Sequence, residues 1–245
     1  MQQWSPLLET ALKRHRTEEL PYLASFFAQA AQAVGAGLTE AKVDCLLDQF
    51  ETLYRRHFRL ASITAAPLLA SLTPAQVDAL AKTFAEEHEE DAAKATVEAA
   101  ARRARKRAER YVDNLRWWIG DLSSEQRGLV REITRRIPDT APAWYAYRQS
   151  QREALLALLR EGASAAAIEQ FLISWLVEFT DLPPTLNDAQ PALRQAFTDL
   201  LLRLQPTLSK SQQEHFIGRL EGLQRDFMRL QPNPRLAPLL CSRPG

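Results

Sequence analysis

The residues in this chain that are best suited to metal or nucleophilic chemistry are four histidines and two cysteines. His88 lies in an acidic run, but Ala92 stands where the zinc-protease motif H-E-x-x-H needs its second histidine. A di-iron E-x-x-H pair ending at His88 would need a glutamate at the position of Ala85. Cys45 and Cys241 have no further cysteine or histidine at the spacing of zinc ligands. The sequence therefore predicts no metal site and no cofactor.

Motifs for nucleophilic catalysis and for phosphate binding are missing as well. The chain has no G-x-S-x-G sequence, and its short Gly35-Ala36-Gly37 segment does not follow a strand pattern. The acidic run from Glu86 to Asp91 could contain a catalytic pair of carboxylates, although clustered glutamates on a helix usually lie on the solvated surface. We therefore predict a protein that is not an enzyme. An enzyme with an unrecognised carboxylate site is a distant alternative.

A basic block followed by aromatic residues is the strongest candidate for a binding surface. Arginines steer an acidic partner during encounter, and aromatic side chains supply the buried area that anchors it. These residues predict that the chain binds another protein. The candidate partner-binding residues are Arg102, Arg103, Arg105, Lys106, Arg107, Arg110, Trp117, Trp118, Trp144 and Tyr147. The net charge of +1 argues against a general nucleic-acid binder.

Acidic residues precede the basic block on the same predicted helix, and three interpretations of this order stay open. The first is a solvated surface with (i, i+4) ion pairs such as Glu90–Lys94 and Glu98–Arg102. The second is antiparallel pairing of two such helices, within the chain or across a homodimer, which salt would weaken. The third is a basic surface for an anionic partner.

The elements that position these residues are predicted to be helices throughout. Glycine is scarce, with 8 in 245 residues, and apolar residues recur at helical spacing along nearly the whole chain. Neither glycine nor proline occurs from Ala75 to Ile119, so we expect one helix there, about 68 Å long. The predicted fold is all-α, with helical bundles built around this very long central helix.

Proline and glycine set the other predicted boundaries. We expect further helices over about 6–16, 18–34, 40–62, 124–137, 142–161, 164–179, 189–205 and 210–230, a short helical piece at 67–71 and a loop at 181–188. The predicted domains are an N-terminal lobe over 1–120 that includes the long helix, a C-terminal bundle over 121–231, and an extended or disordered tail over 232–245.

A capping motif, Leu-[Thr/Ser]-x-x-Gln, occurs at 72–76, 122–126 and 208–212. Its threonine or serine accepts a hydrogen bond from the third helical amide, and its glutamine reaches back to the amide of the capping residue. A weaker copy at 38–42 has Lys42 in place of the glutamine. The irregular spacing of the copies argues against a solenoid of fixed period.

The termini and the cysteines leave the compartment open. No apolar run approaches the ~20 residues of a membrane span, and the first residues lack the pattern of a signal peptide. A missing signal peptide on its own indicates a cytosolic protein. The sequence begins at or just before a predicted helix, as a truncated chain would, so the missing signal is weak evidence about the compartment. A Cys45–Cys241 disulfide would require an oxidising compartment, and the spacing does not decide whether it forms.

Several short motifs between about Leu12 and Asp226 recur together in one family. They are Arg14-His15-Arg16 with Glu18 to Pro21, the three Leu-[Thr/Ser]-x-x-Gln copies, Arg107 to Asn114 with Trp118 and Gly120, and Asp139-Thr140 with Trp144, Tyr147-Arg148 and Arg152. The chain resembles a family of uncharacterised proteobacterial lipoproteins. The resemblance implies a periplasmic, all-helical domain held at the outer membrane by a lipid anchor, and we expect the signal and the anchor to be missing from this sequence. The family brings no known activity.

The capping motif is also similar to that of the Spy and CpxP periplasmic stress proteins, which are helical dimers that cradle unfolded clients. That likeness implies a chaperone-like role. We predict a non-enzymatic, periplasmic envelope lipoprotein domain that binds another protein, as a chaperone-like protein or an assembly factor. The alternative is a structural scaffold or spacer of the envelope that binds no client.

Overall fold

The computed structural model describes residues 4–241, and it confirms the predicted all-α fold: no strand occurs in this range. The α-helices are α1 (Ser5–Arg14), α2 (Leu20–Gly35), α3 (Glu40–Ala70), α4 (Pro74–Ala95), α5 (Ala100–Ile119), α6 (Ser124–Arg136), α7 (Ala141–Arg160), α8 (Ala165–Ile173), α9 (Pro184–Leu204) and α10 (Lys210–Leu230). Two π-helical turns, His15–Glu19 and Ser174–Glu178, and a 3-10 turn, Gln205–Thr207, join or extend them.

The single helix predicted over 75–119 is instead two helices, α4 and α5. The chain leaves the helical conformation at Thr96, where φ is −62° and ψ is 156°, and the side chain of Val97 is 85% exposed. The amide of Ala99 then donates to Thr96 Oγ1 at 3.3 Å, as at the start of a new helix. The prediction of one uninterrupted helix is wrong because a threonine can bond its own backbone and so compete with the helix, even where glycine and proline are absent.

Two prolines lie inside helices: Pro67, where the sequence predicts a break, and Pro191, which falls within the helix predicted over 189–205. Helix α3 continues through Pro67, so the piece predicted at 67–71 is mostly the end of this helix. Helix α9 begins at Pro184 and passes Pro191, so much of the loop predicted at 181–188 is helical. Proline removes one backbone hydrogen bond from a helix interior. Ala66, directly before Pro67, is fully buried, so tertiary packing keeps α3 helical at this point.

Contacts between residues group the chain into two compact units. The first unit consists of the described residues up to Ala11 together with Tyr54–Arg103 and Asp139–Gln190. The second consists of Leu12–Leu53, Ala104–Pro138 and the described residues from Pro191 onward. The units interleave along the sequence, and the predicted lobes 1–120 and 121–231 stay a prediction about domain organisation.

Each unit has its own apolar core. In the first unit, buried residues of α3, α4, α7 and α8 form one cluster: Ala66, Val77, Leu155, Leu156, Leu159, Ile168 and Leu172. In the second unit, one cluster comprises Ile119, Leu122, Val130, Ile133, Ile137, Ala196, Leu200 and Leu204. A further cluster of the second unit joins α2 to α10 through Ala30, Ala31, Val34 and Leu220.

The three predicted capping boxes are confirmed. Thr73, Ser123 and Ser209 each accept a hydrogen bond from the amide three residues later, and the glutamine at that position accepts one from the amide of the capping residue. In the weaker copy, only the first half forms: the amide of Lys42 donates to Thr39 Oγ1 at 3.3 Å. A lysine has no acceptor with which to complete the box.

The tail after α10 contains no helix from 232 to 241, and Cys241 forms a disulfide with Cys45 of α3, with Cα atoms 4.9 Å apart. That separation is ordinary for a disulfide. Residues 242–245 of the predicted tail lie outside the described residues. None of the described helices is both long enough and apolar enough to span a membrane.

Candidate functional site

Helix α5 carries most of the predicted binding residues, and within the second unit its two sides differ. Tyr111, Val112 and Leu115 face the apolar core, and Ile119 at the end of the helix is only 2% exposed. Burial raises the pKa of the Tyr111 hydroxyl, although nearby arginines oppose the rise. Gly120 follows the last residue of the helix, and its positive φ of 78° suits glycine. The core therefore fixes α5 along one side and leaves the other side to solvent.

Within the second unit, α5 holds three exposed cations besides Arg116: Arg105, Lys106 and Arg110. Across residues 4–241, no carboxylate forms an ion pair with any of them. Arg116, six residues after Arg110, differs because it pairs with Asp113 at 3.2 Å. The three cations are therefore open to an ion pair with an external anionic group.

Trp117 and Trp118 are adjacent in sequence but have different environments. Trp118 packs between Phe27 and Phe216, with ring centroids 6.4 and 5.9 Å away, and so belongs to the core. Trp117 is 45% exposed, and the guanidinium carbon of Arg219 lies 4.7 Å from its ring centroid. Sequence reasoning missed Arg219 because it lies on α10, and only the fold brings α10 to this side of α5. Trp117 is thus a surface indole with a fixed cation beside it.

Arg103, in the first unit, forms hydrogen bonds within the protein. Its Nη1 donates to the carbonyl oxygens of Lys94 and Thr96 at 2.6 and 2.8 Å, directly at the break between α4 and α5. Its Nε and Nη2 donate to Asp139 Oδ2 at 3.0 and 2.6 Å. Arg103 therefore closes the C-terminal end of α4 and ties it to the segment before α7.

Arg107 of the second unit is also used internally, because its Nη1 donates to the carbonyl oxygen of Pro138 at 3.1 Å. Of the six predicted basic residues, Arg103 and Arg107 are thus committed to backbone carbonyls. Arg102, Arg105, Lys106 and Arg110 are exposed.

Trp144 and Tyr147 lie in the first unit, whereas Trp117 and Trp118 lie in the second. The two rings lie 5.8 Å apart, and Trp144 also packs edge-on to Phe179 at 6.4 Å. Tyr147 is 4% exposed, and burial raises its pKa. Tyr147 is therefore a core residue, and Trp144, at 38% exposed, lies at the edge of the same cluster.

The acidic run of α4 is paired within the first unit. Asp91 accepts a hydrogen bond from Arg148 of α7 at 2.9 Å, and Glu87 forms an ion pair with Arg152 of α7. The predicted Glu90–Lys94 pair forms at 3.1 Å. The predicted partner of Arg102, Glu98, lies in the turn between α4 and α5, and no ion pair joins these two described residues. Part of the acidic run thus connects α4 to α7 instead of meeting the basic block.

Metal chemistry has no candidate centre in the part of the chain that the structure describes. Within residues 4–241, no three side chains of histidine, cysteine, aspartate or glutamate converge as a metal site would require.

A family model described as a family of unknown function, DUF6279, matches residues 2–185. No curated protein and no solved structure matches the chain. Because the family model covers most of the sequence, the chain belongs to the DUF6279 family.

Proposed function

We propose that this chain is a non-enzymatic domain that binds another protein, and that an acidic surface of the partner docks on the solvent side of α5 in the second unit. We call this surface the basic face and define it as Arg105, Lys106, Arg110 and Trp117. The observation that carries the proposal is the set of three exposed cations without an ion-pair partner, next to a tryptophan that is 45% exposed.

Charge complementarity supports an acidic partner. Carboxylates placed opposite the three cations would form charge-assisted hydrogen bonds with them. Trp117 adds apolar area of the kind that anchors protein interfaces. Since the opposite side of α5 is packed in the core, the basic face needs little reorganisation to bind, and this lowers the entropic cost of association.

A protein partner fits this surface better than a nucleic acid. The basic face offers only three cations, and the whole chain has a net charge of +1. Binding to a nucleic-acid backbone requires many phosphate contacts and a strongly basic surface.

We also propose that the protein acts in the periplasm as the helical domain of an outer-membrane lipoprotein. The resemblance to proteobacterial lipoproteins supports this location. The Cys45–Cys241 disulfide supports it independently, because disulfides persist in oxidising compartments and are rare in the cytosol. A chaperone-like or assembly role would then use the basic face on an acidic envelope protein.

The location is tested by trapping the thiols of intact cells with acid and an alkylating reagent, followed by mass spectrometry and cell fractionation. We expect Cys45 and Cys241 to escape alkylation, and the protein to fractionate with the envelope. Alkylated cysteines together with a cytosolic fractionation would overturn the proposed location.

The basic face is tested by cross-linked recovery of partners from nuclease-treated envelope extract. The bait variant carries Arg105→Glu, Lys106→Glu and Arg110→Glu. The control carries the same charge change on α10 of the same unit, with Lys210→Glu, Arg225→Glu and Arg229→Glu. We expect an acidic protein that wild type and control recover, that the bait variant loses, and that added salt releases.

Two results would contradict the binding proposal. Equal recovery by both variants would show that the basic face is not the binding surface. A signal that nuclease treatment removes would assign the face to nucleic acid instead.

A chaperone-like role further predicts that the purified protein suppresses aggregation of an unfolding acidic client, and that the bait variant suppresses it less than the control does.

A further inference from the structure

The tail of the second unit lies against α2 with few non-covalent contacts. The amide of Ala237 donates to the carbonyl oxygen of Pro21 at 3.2 Å, and Ser25 Oγ donates to the carbonyl oxygen of Ala237 at 2.5 Å. Ala237 and Leu239 are 4% and 7% exposed, whereas the residue after each of them is exposed. Only two tail side chains of modest size are therefore buried.

Gln49 of α3 forms the polar anchor of the tail. It is fully buried, and its Nε2 lies 3.2 Å from the carbonyl oxygen of Leu239 and 2.7 Å from Gln29 Oε1. Gln29 Nε2 donates to the same carbonyl oxygen at 3.2 Å. Gln49 Nε2 also lies 3.4 Å from Sγ of Cys45, so one side-chain amide contacts both the tail and the disulfide.

The disulfide that follows this anchor is open to solvent on one side. Cys241 is an exposed residue, and Cys45 is partly exposed. A solvent-open groove of about 360 Å³ lies beside the bond and is lined by both cysteines and by Lys42 of α3. The groove has room for a small dithiol to approach Sγ of Cys241.

We propose that the Cys45–Cys241 bond is a thiol–disulfide exchange site, and that its reduction by a dithiol releases the tail from α2 and α3. A thiolate of the dithiol attacks Sγ of Cys241, the sulfur–sulfur bond breaks, and its electron pair leaves on Sγ of Cys45. The second thiol of the dithiol loses its proton, attacks the dithiol sulfur of the mixed disulfide and releases the Cys241 thiolate; the Cys45 and Cys241 thiolates each take a proton from water. The protein disulfide is reduced to two thiols while the dithiol is oxidised to its disulfide.

The surroundings favour Cys45 as the leaving group. Once the tail has left, the Nε2 hydrogen of Gln49 that the Leu239 carbonyl accepted is free to bind the Cys45 thiolate, and Lys42 lines the same groove. Both groups stabilise negative charge on sulfur. The Lys42 ammonium is itself held in place, because it donates to the carbonyl oxygen of Gly37 at 2.7 Å.

The tail is expected to leave α2 and α3 after reduction because its non-covalent contacts are few compared with the entropy that it loses when bound. Holding 235–241 in one conformation costs conformational entropy at every residue. A handful of hydrogen bonds and two buried side chains, Ala237 and Leu239, must offset that cost once the covalent link is gone. The disulfide closes a loop of 196 residues, so it greatly restricts how far Cys241 can move from α3.

The test uses dithiothreitol on the folded protein, with thiol alkylation and hydrogen–deuterium exchange read by mass spectrometry. We expect both cysteines to become alkylated without denaturant and far-UV circular dichroism to stay unchanged. Amide protection over 235–241 should fall at least tenfold, while protection in α5 and α6 is retained. Oxidation of the reduced protein should restore protection of the tail.

Cys45→Ser with Cys241→Ser gives a second variant that needs no reductant, and it should show the same loss of tail protection. Leu239→Ser in the oxidised protein should loosen the tail, whereas Leu240→Ser, at an 81% exposed position, should not. Two results would overturn the proposal. One is a tail equally protected in the double variant and in the oxidised protein. The other is a disulfide that dithiothreitol reduces only as fast as the whole protein unfolds.

Discussion

Gln126 and Gln212 bind each other through both ends of their side-chain amides. Gln126 Nε2 donates to Gln212 Oε1 at 2.9 Å, and Gln212 Nε2 donates to Gln126 Oε1 at 3.0 Å. Each oxygen also accepts the amide hydrogen of its own capping residue, Ser123 or Ser209. The capping boxes of α6 and α10 are therefore joined into one hydrogen-bond network. In this protein, the glutamines of two Leu-Ser-x-x-Gln copies connect helices of the second unit.

Because of this network, replacing the glutamine of a capping box should lower the free energy of unfolding by different amounts in different copies. Gln126 is 2% exposed and also donates to the carbonyl oxygen of Thr207 at 3.0 Å, so Gln126→Ala leaves several buried groups unpaired. We expect a loss of about 2–4 kcal/mol in the free energy of unfolding. Gln76→Ala is the matched control, because Gln76 is exposed and completes only its own capping box; its cost should be about 1 kcal/mol.

Urea denaturation measures both effects, and a double-mutant cycle of Gln126→Ala with Gln212→Ala should show coupling of about 0.5–3 kcal/mol. Equal costs for Gln126→Ala and Gln76→Ala, with no coupling in the cycle, would contradict the network.

The second prediction concerns the break between α4 and α5. Arg103→Met removes the donors to the carbonyl oxygens of Lys94 and Thr96, so the ends of both helices should fray. We expect amide exchange over 94–103 to accelerate about tenfold or more, measured by mass spectrometry. Arg102→Met is the control, because Arg102 is exposed and adjacent. Similar exchange in the two variants would show that Arg103 does not secure the break.

The third prediction concerns the proline inside α3. Pro67→Ala restores an amide donor in the helix and removes the clash of the ring with the preceding turn. Proline also restricts the unfolded chain, and its removal lowers the free energy of unfolding. The gain in the folded helix should exceed this loss, so we expect a net stabilisation of about 1–2 kcal/mol. Pro74→Ala is the control, because Pro74 is the first residue of α4, where no amide donor is needed. Thermal unfolding that is unchanged or lower in Pro67→Ala than in wild type would refute this expectation.

The fourth prediction concerns pH. Both oxygens of Glu132 accept hydrogen bonds from Arg203 at 2.9 Å, and this contact lowers the pKa of the Glu132 carboxyl. Since the folded pKa is depressed, the stabilisation is present above the ordinary pKa of a glutamate. It is lost as the pH falls through the lowered value.

An NMR titration of the Glu132 carboxyl carbon measures this directly. The midpoint in wild type should lie below the ordinary glutamate value, and Arg203→Met should move it upward. Glu132→Gln should remove the corresponding pH dependence of stability. A midpoint that stays in place in Arg203→Met would show that Arg203 is not the cause.

The sequence alone determined the helical character of the chain and most of its helix starts. The capping boxes at Thr73, Ser123 and Ser209 were readable because a capping box involves residues only three positions apart. The same local reasoning failed at Thr96, where a capping threonine inside a long helical pattern gave no glycine or proline signal. It also failed at Pro67, where a local break signal was overridden by packing around buried Ala66.

Only the tertiary structure decided which side chains are available for binding. Trp117 and Trp118 are equivalent in the sequence, yet one lies beside Arg219 at the surface and the other lies in the core. The Cys45–Cys241 bond likewise joins residues 196 positions apart. Helix formation and capping depend on neighbours within a few positions, and these can be read from the sequence. Burial and long-range pairing depend on which distant segments the folded chain brings together, and no local pattern encodes that choice.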